Sequence, residues 1–272
     1  MREVKLVICD IDWTLISRNK RVLSDYAKSK IEELHNRGIL FGLASGRPID
    51  EVQVVIDSWG LSFPCDVFIC MNGSELWIEH NQVFQEFYKL KRQHIKEIVN
   101  ILEPFDVNPY MYYHKGIKSL KLDDDIIAAG QRSGKKVYIA KDIEDFANED
   151  NAKIMIRMED DKMAEFEKYM KHIPMSDYQG FKTQQNLMEF ADKRTSKGAT
   201  LVEYCKISGL PIESVMAFGD TTNDNELLIN AGWGVCLSNG SEDTKNICDD
   251  LTEYDVHNDG VAHYIDKHIF KN

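Results

Sequence analysis

Near its N-terminus the sequence reads KLVICDIDWT over residues 5–14. Its first half is a short apolar run with β-branched residues, which predicts a buried strand over Lys5–Cys9. The run stops at Asp10, and a second acid follows at Asp12. Two aspartates on a chain that leaves a strand can turn their carboxylates toward a common site. The stretch therefore predicts a strand and, directly after it, a candidate ligand site.

The next elements alternate between helices and strands. Ser24 can cap a helix over Asp25–Arg37, and a second buried run follows at Ile39–Ala44. A helix that begins near Pro48 and a third strand at Val67–Cys70 continue the order. This β-α-β-α-β order predicts an α/β fold whose core is a Rossmann-like, doubly wound parallel sheet with right-handed crossovers.

The alternation is interrupted in the middle of the chain. There, strand-like segments outnumber helices, and we predict helices only around Ile95–Leu102 and Lys162–His172. This pattern suits a mostly antiparallel α+β unit, and the first rhythm returns after it. We therefore predict a core made of residues 1–87 and 187–272, with an inserted α+β cap domain at residues 88–186.

Composition limits the partners. The 272 residues include 33 basic and 45 acidic side chains, a formal net charge of −12. This balance argues against broad binding to nucleic acid or to anionic membranes, because Lys and Arg hold phosphate backbones.

The six cysteines show no C-x-x-C spacing, and several lie in apolar runs, which favours buried free thiols. No stretch approaches the ~20 apolar residues of a membrane span, and we expect a cytoplasmic protein.

Four short polar segments follow predicted core strands or begin helices. The first contains Asp10 and Asp12, and the second is Ser45-Gly46-Arg47 after the second strand. A hydroxyl and a backbone N–H at a helix start can hold a phosphoryl oxygen. Taken alone, each segment also has an ordinary explanation, as a surface acidic pair or as a helix-start turn.

The third segment places Lys197 at the start of a helix, where the helix dipole disfavours a cation unless an anion binds nearby. The fourth follows the strand Val215–Phe218 and contains Asp220, Asn223 and Asp224. Such oxygens suit a hard cation. An exposed lysine and a helix-capping turn are the ordinary alternatives. One site at the carboxyl ends of parallel strands explains all four segments together.

The order of these segments resembles the haloacid dehalogenase superfamily of phosphatases. Within it, the chain looks most like the Cof-type subgroup, whose type IIB cap is inserted between the second and third motifs. The resemblance covers nearly the whole chain and includes Asn72-Gly73 after the third strand and Asp259-Gly260-Val261-Ala262 near the C-terminus. It implies a Mg²⁺-dependent phosphatase that forms an aspartyl-phosphate.

The resemblance also implies residue roles. Asp10 would be the nucleophile and a Mg²⁺ ligand, and Asp12 the general acid and then base, with its backbone carbonyl on the metal. Ser45, Gly46 and Lys197 would hold the phosphoryl group.

For the metal, the resemblance implies that Asp220 is the second carboxylate, supported by Asn223 and Asp224. One residue departs from the family pattern, because the glycine usual after the second aspartate is Trp13 here. If that position needs a positive φ, tryptophan is strained there; alternatively, its indole borders the cleft and contacts the substrate.

Other functions remain open at this stage. A phosphosugar mutase would use the same residues but pass the phosphoryl group to a sugar hydroxyl. A phospho-acceptor switch also uses a carboxylate, Mg²⁺, a hydroxyl and a lysine, but such modules are about half this length and lack a large insertion. A non-catalytic phosphate binder would not need the full acidic set. We expect a small phosphorylated metabolite as substrate, with sugar phosphates as the leading class, and the sequence leaves the oligomeric state open.

Overall fold

The structure, a computed structural model, describes residues 3–17 and 20–271. The chain divides into two compact units. The first unit comprises Met1–Phe87 and Ser196–Asn272, and the second comprises Tyr88–Thr195. The second unit is therefore an insertion into the first.

The first unit begins with the predicted alternation of strands and helices. Its N-terminal elements are β1 (Leu6–Cys9), α1 (Asp25–Asn36), β2 (Leu40–Ala44), α2 (Ile49–Trp59), β3 (Val67–Cys70), β4 (Glu75–Ile78) and β5 (Val83–Glu86). Ser24 caps α1, because its side chain accepts a hydrogen bond from the backbone N–H of Ala27. Gly60 ends α2 in the left-handed conformation, with φ of 58°.

The second unit lies between β5 and the rest of the first unit in the chain. Its elements are α3 (Arg92–Leu102), β6 (Tyr110–Tyr113), β7 (Gly116–Ser119), α4 (Asp124–Ser133), β8 (Val137–Ile139), α5 (Ile143–Phe146), β9 (Lys153–Arg157), α6 (Asp160–Met170), β10 (Tyr178–Gln184) and β11 (Leu187–Asp192). The strands form one sheet in the order β10-β11-β9-β6-β7-β8. Every pair in it is antiparallel except β7 and β8.

The first unit is completed by the C-terminal part of the chain. Its remaining elements are α7 (Lys197–Ser208), β12 (Val215–Gly219), α8 (Asn225–Asn230), β13 (Trp233–Cys236), α9 (Glu242–Lys245), β14 (Asp250–Leu251) and α10 (Gly260–Ile265). A π turn over Asp266–Phe270 extends α10.

The sheet of the first unit has eight strands in the order β14-β13-β12-β1-β2-β3-β4-β5. The strands from β14 to β3 are parallel, and the β4–β5 hairpin pairs antiparallel at one edge. Along β1, Val7 and Cys9 face α1, α2 and α10, whereas Leu6 and Ile8 face α7 and α8. Both faces are therefore covered by helices, and the predicted doubly wound α/β fold is confirmed.

One boundary differs from the prediction. We expected the core to resume at residue 187, but Leu187–Asp192 pairs antiparallel with Lys153–Arg157 and belongs to the second unit. All six residues of this strand are buried, so its sequence does not distinguish it from a strand of the first unit's sheet. The first unit resumes at Ser196, nine residues later than predicted.

Candidate active site

The parallel register brings the first and fourth motifs together. Cys9 of β1 lies opposite Phe218 of β12, and the N–H of Asp10 donates to the Phe218 carbonyl at 2.9 Å. Asp10 leaves β1 at this point, and Asp220 follows the end of β12 by one residue. Two acids more than two hundred positions apart in the sequence thus end adjacent strands of one sheet.

Three carboxylates gather at these strand ends. Asp10, Asp220 and Asp224 are buried, and each offers an oxygen that lies within 4.8 Å of the oxygens of the other two. The hydroxyl of Thr14 donates to Oδ1 of Asp220 at 3.0 Å. Oxygen ligands at this spacing suit a hard divalent cation. Asp224, predicted as a supporting residue, is part of the cluster itself.

Lys197 supplies the opposite charge. Its fully buried side chain donates from Nζ to Oδ1 of Asp10 at 2.5 Å and to Oδ1 of Asp224 at 2.6 Å. It is the first residue of α7, and Ser196 caps that helix by accepting from the N–H of Ala199. Lys197 therefore begins a helix and is buried among carboxylates. Their negative charge offsets the unfavourable interaction between the ammonium and the positive end of the helix dipole.

Gly198 lets this helix start come close to α8. A Cβ at Gly198 would lie only 2.2 Å from the backbone oxygen of Glu226. The two helices approach here without a side chain between them. The close approach fixes the position of Lys197 relative to the fourth motif.

The cluster contains more acidic groups than basic ones. Burial raises the pKa of Asp220 from 3.8 to about 8, and repulsion from Asp224 and Asp10 adds to the rise. Burial also raises the pKa of Asp10 to about 7, although the attraction of Lys197 opposes it. Burial lowers the pKa of Lys197, but Asp10 and Asp224 together raise it well above its usual value. The lysine is charged, and its one charge does not balance three carboxylates.

Asp224 also shapes the loop of the fourth motif. Its Oδ2 accepts from the N–H groups of Asp220 at 3.0 Å and Thr221 at 3.2 Å. Asn223 turns the other way and donates from Nδ2 to Oδ1 of Asn72 at 3.2 Å. Oδ1 of Asn223 is buried without a hydrogen-bond partner within the described part of the chain.

Two other predicted residues, Ser45 and Asp12, have side chains outside the cluster of carboxylates around Lys197. Ser45 is buried at the end of β2, and its Oγ accepts from the N–H of Arg47 at 3.2 Å. The carboxylate of Asp12 is half exposed and accepts from Nε and Nη2 of Arg47, at 2.8 and 2.7 Å. The structure therefore brings Asp10, Lys197, Asp220 and Asp224 together, whereas the side chain of Asp12 pairs with Arg47.

The sequence pattern that describes haloacid dehalogenase-like hydrolases matches residues 7–265. This chain belongs to that family. The match covers nearly the whole chain of this hydrolase, so the predicted family membership and the prediction of an enzyme are confirmed. Within the described residues, no helix has both the length and the apolar character needed to cross a membrane.

Several characterised or named proteins are similar to this hydrolase over their full length. The 5-amino-6-(5-phospho-D-ribitylamino)uracil phosphatase YitU of Bacillus subtilis is 23% identical, with 97% of each chain covered. A putative phosphatase of Streptococcus pyogenes is 24% identical, with 98% of each chain covered.

Solved structures share the fold. A haloacid dehalogenase-like hydrolase from Bacteroides thetaiotaomicron superposes with a TM-score of 0.82 at 21% identity, covering 97% of this chain and 99% of that one. The subclass IIB sugar phosphatase BT4131 has a TM-score of 0.80 at 19% identity, covering 97% and 98%.

Asn72 also lies in this region, and the sequence analysis named it only as part of the family resemblance, without a role. Met71, Asn72 and Gly73 have φ values of 51°, 56° and 106°, three consecutive left-handed residues after β3. The N–H of Asn72 donates to the Ser45 carbonyl at 3.0 Å, and its Oδ1 accepts from Asn223. Strained backbone of this kind clusters at functional sites. The Asn-Gly pair after a predicted strand was the available signal.

Gly73 ties the same turn to the third motif. A Cβ at Gly73 would lie 2.2 Å from the Ser196 carbonyl oxygen, and the hydroxyl of Thr200 donates to the Gly73 carbonyl at 2.6 Å. The turn after β3 thus contacts the second, third and fourth motifs. Only glycine permits this approach to the start of α7.

Proposed function

We propose that this hydrolase is a Mg²⁺-dependent phosphatase that cleaves phosphate monoesters of small metabolites through an aspartyl-phosphate on Asp10. The observation that carries the proposal is the buried contact of Lys197 with Asp10 beside Asp220. The matched proteins support it, because YitU and the streptococcal protein both carry phosphatase names.

The residues present fit the metal that the family implies. Asp10, Asp220 and Asp224 offer carboxylate oxygens, which Mg²⁺ prefers, and a dication would offset the repulsion that raises the pKa values of Asp10 and Asp220. We assign the side chains of Asp10 and Asp220 and the carbonyl of Asp12 as ligands. When bound, the metal supplies Lewis-acid stabilisation of phosphoryl oxygens and holds the acids ionised.

In the first step of the proposed reaction, a carboxylate oxygen of Asp10 attacks phosphorus, and the bond between phosphorus and the leaving oxygen breaks. Asp12, protonated, gives its proton to that leaving oxygen, which departs as an alcohol. Because both oxygens of Asp12 accept from Arg47 in the structure, this step requires Asp12 to leave Arg47.

In the second step, Asp12 takes a proton from water, whose oxygen attacks the phosphorus of the aspartyl-phosphate. The bond to Asp10 breaks, which releases inorganic phosphate and restores the carboxylate. Throughout, the ammonium of Lys197 offsets negative charge on the phosphoryl oxygens, and Ser45 and the N–H of Gly46 hold one of them. Because phosphoryl transition states are loose, such positioning and charge carry most of the rate enhancement.

Sugar phosphates remain our proposed substrate class. The name of YitU describes a phosphorylated ribityl chain, and BT4131 is named a sugar phosphatase. Both names describe a phosphate on a hydroxylated carbon chain. We also propose that the inserted unit, Tyr88–Thr195, selects the leaving group, and that the enzyme acts in the cytoplasm.

The proposal is tested by release of phosphate from p-nitrophenyl phosphate, with Mg²⁺ and after its removal with EDTA. We expect hydrolysis only with the metal, and none by Asp10→Asn, which keeps the shape of the side chain. Equal release without metal, or by Asp10→Asn, contradicts the proposal. Transfer of the phosphoryl group to an added sugar rather than to water indicates a mutase instead.

A further inference from the structure

Trp13 combines a left-handed backbone with an exposed side chain. Its φ is 68°, a region that bulky residues rarely adopt, and 42% of the residue is accessible to solvent. The turn needs this conformation, because the N–H of Trp13 donates to the Ile16 carbonyl at 2.6 Å and its carbonyl accepts from Nδ2 of Asn239 at 2.9 Å. Glycine would make both bonds without strain.

The indole is only partly covered, and a large part of it faces solvent. Its aromatic neighbour is the ring of His257, at 6.1 Å between centroids and edge to face. Asn239 connects this turn to the C-terminal part of the chain, because its Oδ1 also accepts from the N–H of Val256 at 2.9 Å. A requirement of the fold therefore does not account for a tryptophan at this position.

The position of Trp13 in the chain suggests what the indole does. It stands between Asp12 and Thr14, and Thr14 donates to Asp220 in the carboxylate cluster. In the proposed function, Asp12 must reach the leaving oxygen to protonate it. A side chain attached to the next residue is then beside the leaving group rather than beside the phosphoryl group.

We propose that Trp13 is a specificity-determining residue whose exposed indole packs against a ring in the leaving group. This inference rests on the proposed phosphatase function. It assigns the substrate class as phosphate esters whose leaving group presents a planar or apolar ring face, either aromatic or a sugar ring. An aromatic side chain stacks on such a face, whereas an acyclic leaving group gains little from it.

The test compares kcat/KM on two activated phosphoryl donors, the ester p-nitrophenyl phosphate, which has a ring, and the acyl phosphate acetyl phosphate, which has none. Trp13→Gly and Trp13→Asn both tolerate the left-handed backbone but lack the ring, and Trp13→Phe keeps an aromatic face. We expect Trp13→Gly and Trp13→Asn to lose about tenfold in the ratio of the two kcat/KM values, about 1.4 kcal/mol. Trp13→Phe should keep most of that ratio.

Stability provides the second measurement. Because Trp13→Gly removes the backbone strain, its melting temperature should equal or exceed that of the wild type. An equal loss on both compounds in Trp13→Gly and Trp13→Asn, or no loss, overturns the inference while the phosphatase stands. A wild type that hydrolyses neither compound with Mg²⁺ present instead overturns the proposed function.

Discussion

At the residue scale, three buried carboxylates lie together, and the one buried lysine beside them, Lys197, donates to two of them, Asp10 and Asp224. Asp220 illustrates the consequence, since its pKa of about 8 lies well above its ordinary 3.8. Ionising it in the folded, metal-free protein is costly because it is buried and faces Asp224 and Asp10. The site is therefore strained electrostatically until a cation enters, and this strain can be measured.

We expect Asp220→Asn to stabilise the metal-free protein at pH 8. A carboxyl whose folded pKa is raised favours folding below pH 3.8, and this contribution is lost as the pH rises through about 8. Asparagine keeps an oxygen that can accept from Thr14 but does not titrate. Melting temperatures in EDTA should therefore diverge in favour of Asp220→Asn from pH 5 to pH 8. Parallel pH profiles for the two proteins would contradict the assignment.

Residue types and spacing were enough to select Asp10, Lys197 and Asp220 from the sequence, because each follows a strand or begins a helix. Side-chain pairing was not predictable in the same way. The two hydrogen bonds from Arg47 to Asp12 depend on rotamers at an exposed position, where no pattern of apolar residues constrains the outcome. Asn72 was assigned no role because its importance lies in backbone conformation rather than in its chemistry.

At the element scale, the approach of α7 to α8 positions Lys197. We expect Gly198→Ala to destabilise the protein by about 2–3 kcal/mol, because its Cβ would overlap the Glu226 backbone. Turnover should fall about 10²-fold, since even a ~1 Å displacement of a catalytic group costs that much. Urea unfolding and phosphate release measure the two effects.

Gly209→Ala is the matched control at the other end of α7. Nothing lies within 4 Å of its Cβ, and its φ of 69° gives a strain cost of about 1 kcal/mol. It should lower stability slightly and leave turnover unchanged. If both glycine variants affect turnover equally, the helix approach does not position Lys197.

The sheet of the second unit contains a buried ion pair. Nζ of Lys153 lies 2.8 Å from Oε2 of Glu189, and both side chains are nearly inaccessible. We expect Lys153→Met to destabilise the protein by about 3–5 kcal/mol, because Glu189 is left buried without its cation. Lys182→Met, which breaks an exposed pair with Glu167, should cost at most about 1 kcal/mol.

The double variant with Lys153→Met and Glu189→Leu distinguishes the effect of an unpaired charge on stability from the effect of altered packing. It should regain most of the stability that Lys153→Met loses, since no unpaired charge remains. A double variant that is less stable than the single one would mean that the ion pair itself stabilises the sheet. Urea titration of all four proteins gives the comparison.

Sequence periodicity was less informative in this unit than in the core. The helix Asp124–Ser133 was not predicted, because Ile126 and Ile127 are adjacent to two alanines and show no clear helical spacing. The predicted core range resumed at residue 187 and so included Leu187–Asp192, which was not predicted as a strand; a fully buried strand looks the same in either sheet. Which sheet a strand joins depends on long-range pairing that local patterns do not encode.

At the scale of the whole molecule, folding of the first unit brings together the residues of the proposed cation site from distant parts of the chain. Mg²⁺ should therefore stabilise the folded state, by about 2.7 kcal/mol at a concentration 100 times its Kd. We expect the melting temperature at pH 7.5 to rise with added Mg²⁺ and the rise to disappear in Asp220→Asn. A rise of the same size in that variant would place the cation elsewhere.

The parallel topology made this convergence predictable. Strands that run in the same direction end at one edge, so motifs after β1 and β12 had to meet once the α/β order was recognised. The central claim is that Asp10, at that edge, carries the phosphoryl group during turnover.

The most direct test uses Asp12→Asn with p-nitrophenyl phosphate and Mg²⁺. This ester has a good leaving group, so the first step needs little acid, whereas hydrolysis of the intermediate lacks its base. After acid quenching, mass spectrometry should find one phosphoryl group on the peptide that contains Asp10 and none in the Asp10→Asn, Asp12→Asn double variant. A phosphoryl group on any other residue, or turnover by Asp12→Asn at the wild-type rate with Asp10 unmodified, would contradict the account.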